Sequence, residues 1–580
     1  MSEGDHGSKL VSSTTGGGYA NATVVFASLG KYKAHLSVRA TRADGSFHST
    51  ASSSRALVCS YVRRSLRGLV KKDRDAFLDA MKTMIEVEQG QGIDKFGDDY
   101  RPISHFSRIH LRGAGGRVSD HMHDGMGFLT QHAALTSEFE LALQSIAKTM
   151  AVPYWDYTVE GEIVRGAGTL AAAWNTPLWT DNAAEVADGS EAWFGEAKQV
   201  GHTVQSGRFA WQTIDKDYDN DVHNAYGYLR APWNVNDSPY LTRAHKFCNQ
   251  TIGYELWPSC GMHWNLTFDT GYNTWYQWVW DAGYAPHGPI HDYIGGYTNC
   301  GNLHEDLLNI LPTGAIDSFA KFMVVLPKSL YRAFYLTPPE YCTEDTPVSD
   351  CHSTCSLNPD DPNDVDEMMQ VIMSLGSHLQ KTGVALDYNW IADLDEHASA
   401  QLMRVICTTP FSPGEQLEAG SPADVSFWSI HPTMERLFQC VACCILLPPA
   451  QCERDVVRQT AGETKVCLAR AQVQAARERL HRDRLAQPGG DESVRRLEQD
   501  DHVLRPGPHH EPRRGRGPQR DAVRRPPRGR RRALLQHDQE RRHGALRKDA
   551  ALEPAALHED QPERLPHALH LRLFRVGPLQ

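Results

Sequence analysis

No tryptophan, tyrosine or isoleucine occurs after residue 450 of this 580-residue chain, and residues 451–580 hold a single aromatic, Phe574. A segment so poor in large apolar side chains cannot bury enough surface to offset its conformational entropy. Charge divides at the same place. Residues 451–580 carry 28 Lys and Arg against 19 Asp and Glu, whereas residues 1–450 carry 32 against 52. Only two of the 28 are lysine, and no aromatics are interleaved for stacking on bases. The runs PRRGRGPQR and RRPPRGRRR between Pro512 and Arg532 are therefore not expected to bind nucleic acid. The Arg, Pro, Gly and His bias resembles a message translated out of frame, so residues 446–580 read as a disordered tail or a gene-model artefact.

Other absences narrow the class. The polar opening MSEGDHGSKLVSSTTGGG lacks the apolar core of a secretory signal, and no run of eighteen apolar residues suggests a membrane span. Residues 1–55 read as a low-complexity or loosely structured leader in which Tyr19–Ala51 alternates enough to pair as two strands. The spacing of Leu66, Leu69, Phe77, Met81 and Ile85 predicts a helix over 62–85. One folded domain is then expected from residue 56 to 445, with a long insertion at about 300–420.

Thirteen cysteines are many for a reducing compartment. Cys248 with Cys260, and Cys342 with Cys351 or Cys355, lie close enough to bridge, while Cys407, Cys440, Cys443 and Cys444 read as buried small hydrophobes. With the acceptors Asn21-Ala-Thr, Asn249-Gln-Thr and Asn265-Leu-Thr, the cysteines favour a secreted or vesicular location despite the absence of a visible signal.

Histidines carry the chemical content. His123 and His132 flank a turn before an apolar run, Ala133–Met150, that reads as one helix with Phe139, Leu143 and Ile146 on a face. His287 and His291, in APHGPIHDYIGGY, are four apart and share a helical face, the spacing that lets two ring nitrogens reach one ion. They enclose Gly-Pro-Ile, which excludes the HExxH arrangement of zinc hydrolases. A third stretch, DVSFWSIHPTMER at 424–436, sets His431 between an aromatic pair and a carboxylate–arginine pair. Two clusters of imidazole suggest two ions.

These stretches resemble the type 3 copper family of tyrosinases, catechol oxidases and molluscan haemocyanins. His123, Phe128, Leu129, His132 and Glu140 fall on the family's first copper motif, with Gln131 in place of an aromatic and Ala133 in place of an arginine. Asp424, Phe427, Trp428 and His431 fall on the second, with Val425 for proline and Glu435 for aspartate. Pro153, Tyr154, Trp155 and Asp156 reproduce the PYWD signature that follows the first copper helix.

The resemblance implies a mainly α fold, a four-helix bundle holding two copper ions with long loop insertions. The first ion would sit on His110, His123 and His132, with His105 the alternative to His110, and the second on His287, His291 and His431. His121 reads as a solvated loop residue, and His304, His352, His378 and His397 lack the flanking residues of His431. Two copper(I) ions can together give two electrons to dioxygen, and three neutral imidazoles hold each in both oxidation states without adding charge. The implied substrates are dioxygen and a small phenol stacked on His291. Gly288 stands where monophenol hydroxylases often carry asparagine, and Asp281 is the one acid in the ten residues before His287, so oxidation of o-diphenols to o-quinones is the expected activity, ahead of monophenol hydroxylation. Two other readings stay open: a haemocyanin-like oxygen carrier, and a family member whose site has decayed, for which Gln131, Ala133 and Val425 speak.

Overall fold

The computed structural model describes residues 22–26, 29–41, 44–181, 191–198, 201–248, 253–268, 272, 274–322, 324–347, 349–381, 388–417, 419–446 and 567–571. Nearly the whole of the basic tail, with Asn21, Asn249 and the side chains of Cys443 and Cys444, thus lies outside the described residues. The architecture is helix-rich with little sheet. The longest ladder is a hairpin, Gly30–Thr41 against Phe47–Cys59. No described helix is long and apolar enough to cross a membrane.

The first helix runs over Lys71–Glu86 rather than from residue 62. Residues 64–66 are drawn instead into extended pairing with the PYWD segment: Leu66 N donates to Tyr154 O at 2.8 Å and Tyr154 N to Arg64 O at 3.0 Å. Long-range strand pairing outcompetes a helical pattern that the sequence supports locally. Phe77, Leu78, Met81 and Met84 turn into the core from that helix.

Three further helices meet on one aromatic cluster. Ile103–Ala114 supplies Phe106, Gly127–Ile146 supplies Phe139, and Phe427–Leu446 supplies Trp428. The Phe139 and Trp428 rings stack at 3.7 Å between centroids, and Phe106 meets both edge-on at 5.6 and 5.2 Å. All three side chains are essentially inaccessible to water. Offset and edge-on contacts of this kind add about 0.5–1.5 kcal/mol per pair beyond area burial, which fixes how the three helices cross.

The stretch expected to be an insertion holds a second hydrophobic core. Phe319, Phe322, Met368, Ile372, Trp390, Leu402 and Ile406 pack together there, on helices that include Thr313–Phe322, Leu326–Arg332, Pro362–Lys381 and Glu396–Thr408. The chain enters and leaves this part through a two-residue antiparallel ladder, Tyr297–Thr298 against Ser412–Pro413. Gly296 opens it at φ +61°, where a Cβ would lie 2.2 Å from Lys246 O, so glycine is required.

Disulfides depart from the expected pairing. Cys248 bonds Cys300, not Cys260, and Cys407 bonds Cys355 instead of serving as a buried thiol. Cys342 bonds Cys351 as one of its two candidates, and Cys440 is buried. Nearness in sequence misleads because Cys260 opens the helix Cys260–Phe268, whereas Cys300 follows the strand Tyr297–Thr298, which runs beside Phe247. Cys260 is itself disulfide-bonded. These bridges are consistent with an oxidising compartment, and Asn265 of the third acceptor is exposed on its helix.

Two fully buried ion pairs tie loops to this frame. Arg243 forks onto Asp424 at 2.6 and 2.8 Å and also donates to the carbonyls of Phe194 and Gly195. Arg230 pairs with Glu415 and donates to the carbonyls of Asn236, Ser238 and Tyr240. Every charge is compensated, as burial demands.

Candidate metal centre

Helix ends and helix faces bring the six histidines together. His110 lies in the last turns of Ile103–Ala114, His132 in the second turn of Gly127–Ile146, His291 in the middle of Gly288–Gly295, and His431 near the start of Phe427–Leu446. His123 and His287 sit in the turns that lead into two of these helices, so His287 reaches the site from the residue capping Gly288–Gly295 and not from its face. His110, His123 and His132 form one group and His287, His291 and His431 another, the ligand atoms of each lying within 4.8 Å of one another. His132 and His431 stack almost parallel, 4.1 Å apart at 4°, and join the two groups. Phe128 and Phe427 wedge between them, Phe427 at 4.3 Å from His431 and Phe128 at 4.9 Å from His287.

Hydrogen bonds fix which nitrogen faces inward. The Nδ1–H of His110 donates to Ala419 O, that of His132 to Phe128 O and that of His291 to Gln416 O. Each bond leaves Nε2 as a bare lone pair. Yet His110 Nε2 lies 3.2 Å from His132 Nε2, and His291 Nε2 lies 2.9 Å from His287 Nε2. Burial first, and the neighbouring imidazoles second, hold His110 down to about 3, and burial holds His291 down to about 4; His132, His287 and His431 fall well below their ordinary value for the same first cause. His110 and His132 both carry their proton on Nδ1, so neither neutral ring can donate across the 3.2 Å contact, and two lone pairs converging there suit a cation. Among the described residues His287 Nδ1 and His431 Nε2 are buried with no partner, and a neutral His287 protonated at Nε2 can donate to His291 Nε2. The donor set fits copper: uncharged imidazole, three per group.

His123 is held differently. Its Nδ1 meets the carboxylate of Asp120 at 3.0 Å, and that carboxylate also takes Lys328 Nζ at 2.6 Å and Arg332 at 3.4 Å. Asp120 is buried. Burial alone would raise its carboxyl, but the His123 ring and the Lys328 ammonium hold it well below the usual carboxylate range. Sequence reading missed Asp120 and Lys328. The one signal was Asp120 three residues ahead of a candidate ligand; nothing marked a lysine 208 residues away. Arg63 was missed too. It bridges Glu140 and Glu435, the two motif carboxylates, from the stretch ahead of the first helix.

Other candidates lie elsewhere. His105 bonds Glu138 and His121 bonds Ser119, both at the surface. His304, His352 and His397 join neither group, and the side chain of His378 lies outside the described residues. Asp281 hydrogen-bonds Tyr272 and is not on the wall of the cavity that opens onto the centre. That cavity, of about 290 Å³, is lined by His123, His287, His291 and Gly288, and by aromatic and aliphatic side chains such as Trp233, Tyr284 and Leu256.

Two tri-histidine groups joined by a stacked pair form a centre that can hold two metal ions, and their donor set suggests a type 3 dinuclear copper site. Residues 100–310 match the family model described as the common central domain of tyrosinase. Five of the six histidines fall inside the match, and the fold delivers His431 from outside it. A comparison with curated proteins finds no match.

Proposed function

We propose that the protein oxidises o-diphenols to o-quinones with dioxygen at two copper ions, one on His110, His123 and His132 and the other on His287, His291 and His431. The observation that carries this reading is the pair of tri-histidine groups, each with its ligand atoms within 4.8 Å of one another, five of the six histidines lying in a family-matched segment. When bound, the two ions supply a two-electron relay, so that two diphenols give two quinones while one dioxygen becomes two waters. The chain's own part is to position and to exclude. The four ligand-bearing helices act as a bundle in which dinuclear sites are commonly held. The carbonyls of Ala419, Phe128 and Gln416 fix ring tautomers, and Phe128 and Phe427 keep water from between the imidazoles. By family resemblance the phenol ring lies on His291, which the cavity reaches. A cavity open to three of the histidines favours the oxidase over an oxygen carrier, whose site would be covered. The bridges favour secretion or a vesicle.

The test is direct. Copper-loaded protein is expected to bind two copper per chain and to consume dioxygen and 4-methylcatechol in a ratio of one to two. Two bound copper with no quinone would overturn the enzyme reading. Asp120→Ala is expected to weaken copper binding at the His123 group by about 10–100-fold, the usual effect of removing a residue that orients a ligand imidazole. Unchanged affinity in a copper titration would show that the carboxylate does not orient His123.

A further inference from the structure

The cavity at the centre is unbalanced in charge. Beside the histidines and Asp292, whose burial favours its neutral form, Asp124, Glu255 and Lys328 line it. Lys328 is the one cation among these lining residues, and it is spent. Its Nζ lies 2.6 Å from Asp120, a buried carboxylate, and that ion pair holds the ammonium on Asp120 rather than free for a ligand. Asp124 and Glu255 are exposed, and among the described residues neither has a hydrogen-bonded or ion-paired cation. Their field is felt inside: burial first, and then Asp124, raises the Tyr284 hydroxyl to about 12. The inner wall adds Trp233 and Tyr284, whose π faces attract ammonium groups.

We infer that this cavity selects phenols carrying a protonated amine on a short chain, of the arylethylamine class, over phenols carrying a carboxylate. The inference rests on the phenol-oxidising reading above for its chemistry, but the selection is a property of the walls. A volume of about 290 Å³ admits one aromatic ring with a short chain and little more. With the ring towards His291, the chain's free end points back to the mouth. An ammonium there meets two carboxylates with no cation partner among the described residues, while a carboxylate meets like charge and finds Lys328 already paired with Asp120. The excess of 52 acidic over 32 basic residues in residues 1–450 acts in the same sense at longer range, raising the local concentration of cations.

The experiment compares dopamine, 3-(3,4-dihydroxyphenyl)propionate and uncharged 4-methylcatechol as substrates of the copper-loaded protein. It also compares tyramine with 3-(4-hydroxyphenyl)propionate as ligands, read by quenching of tryptophan fluorescence without turnover. Amine over acid is expected by at least about tenfold in kcat/KM and in affinity, the scale of one or two charge contacts in a partly solvated site. The ratio should shrink with added salt. In the double variant Asp124→Asn, Glu255→Gln it should fall to within about threefold. Equal binding of the amine and the acid by the native chain, or a ratio untouched by the double variant, overturns the inference. Amine-selective binding with no quinone from any of the three diphenols upholds it and overturns the oxidase reading instead.

Discussion

His431→Ala is expected to lower bound copper from two per chain towards one and to cut catechol oxidation by more than about 100-fold, beyond the 10–100-fold typical of residues that only orient a ligand. His431 stacks on His132 of the other group at 4.1 Å and lies 4.5 Å from His287, so its loss strips a ligand from one ion and a wall from the other. The fold should survive. Phe427 and Trp428 remain to hold the helix, and truncating one imidazole removes a neutral ring, leaving no charge unpaired. Metal analysis alongside far-ultraviolet circular dichroism checks both halves of the expectation. A folded variant that keeps two copper and full rate would remove His431 from the centre.

Arg243→Ala is expected to be the most destabilising single change in the ligand-bearing part, at about 3–5 kcal/mol, because it strands a buried carboxylate. It also orphans two backbone carbonyls that Arg243 now satisfies. Lysine at 243 should recover only a fraction, since an ammonium cannot reproduce the fork onto Asp424. The pair has a pH signature. Burial would raise the Asp424 carboxyl, but Arg243 and the bonds from Ser426 outweigh it and hold it below its ordinary value of 3.8. A depressed carboxyl contributes stability that is complete above its unfolded value and is lost as pH falls through the folded one. The native chain should thus lose stability below about pH 4, and Arg243→Ala should lack that share of the acid loss. Denaturant unfolding at pH 7 and pH 3 distinguishes the two. Equal acid loss in both proteins would place the acid-labile group elsewhere.

The centre was largely legible because its histidines sit in short motifs with aromatic neighbours, and motifs survive without knowledge of the fold. Departures at Gln131 and Ala133 look like decay in sequence, yet Gln131 is exposed and Ala133 only half-buried, so neither touches the inner face that carries His132. An arginine expected beside the first motif has a counterpart in Arg63, which approaches Glu140 from 77 residues away. Apart from Asp120 beside His123, what stayed hidden is of this long-range kind: Lys328 on Asp120, Arg243 on Asp424, Cys248 on Cys300. Pairings across 52 to 208 residues leave no local periodicity to read. The insertion was visible as excess length, but a second packed core within it was not, because its apolar spacing is that of any amphipathic helix.

The narrow gate at Tyr297–Thr298 and Ser412–Pro413 makes the stretch between them a cassette. Its ends are hydrogen-bonded neighbours, so a different length of chain could be spliced there without moving His291 on one side or His431 on the other. Yet Val324, Val325 and Lys328 inside the cassette form part of the cavity wall. The six clustered histidines and this part of the cavity wall thereby lie on separate lengths of chain, free to drift at different rates over evolutionary time. Lys328 and Arg332 restrain that freedom: both pair with Asp120, so any replacement cassette must bring its own cations or loosen the imidazole that Asp120 steers.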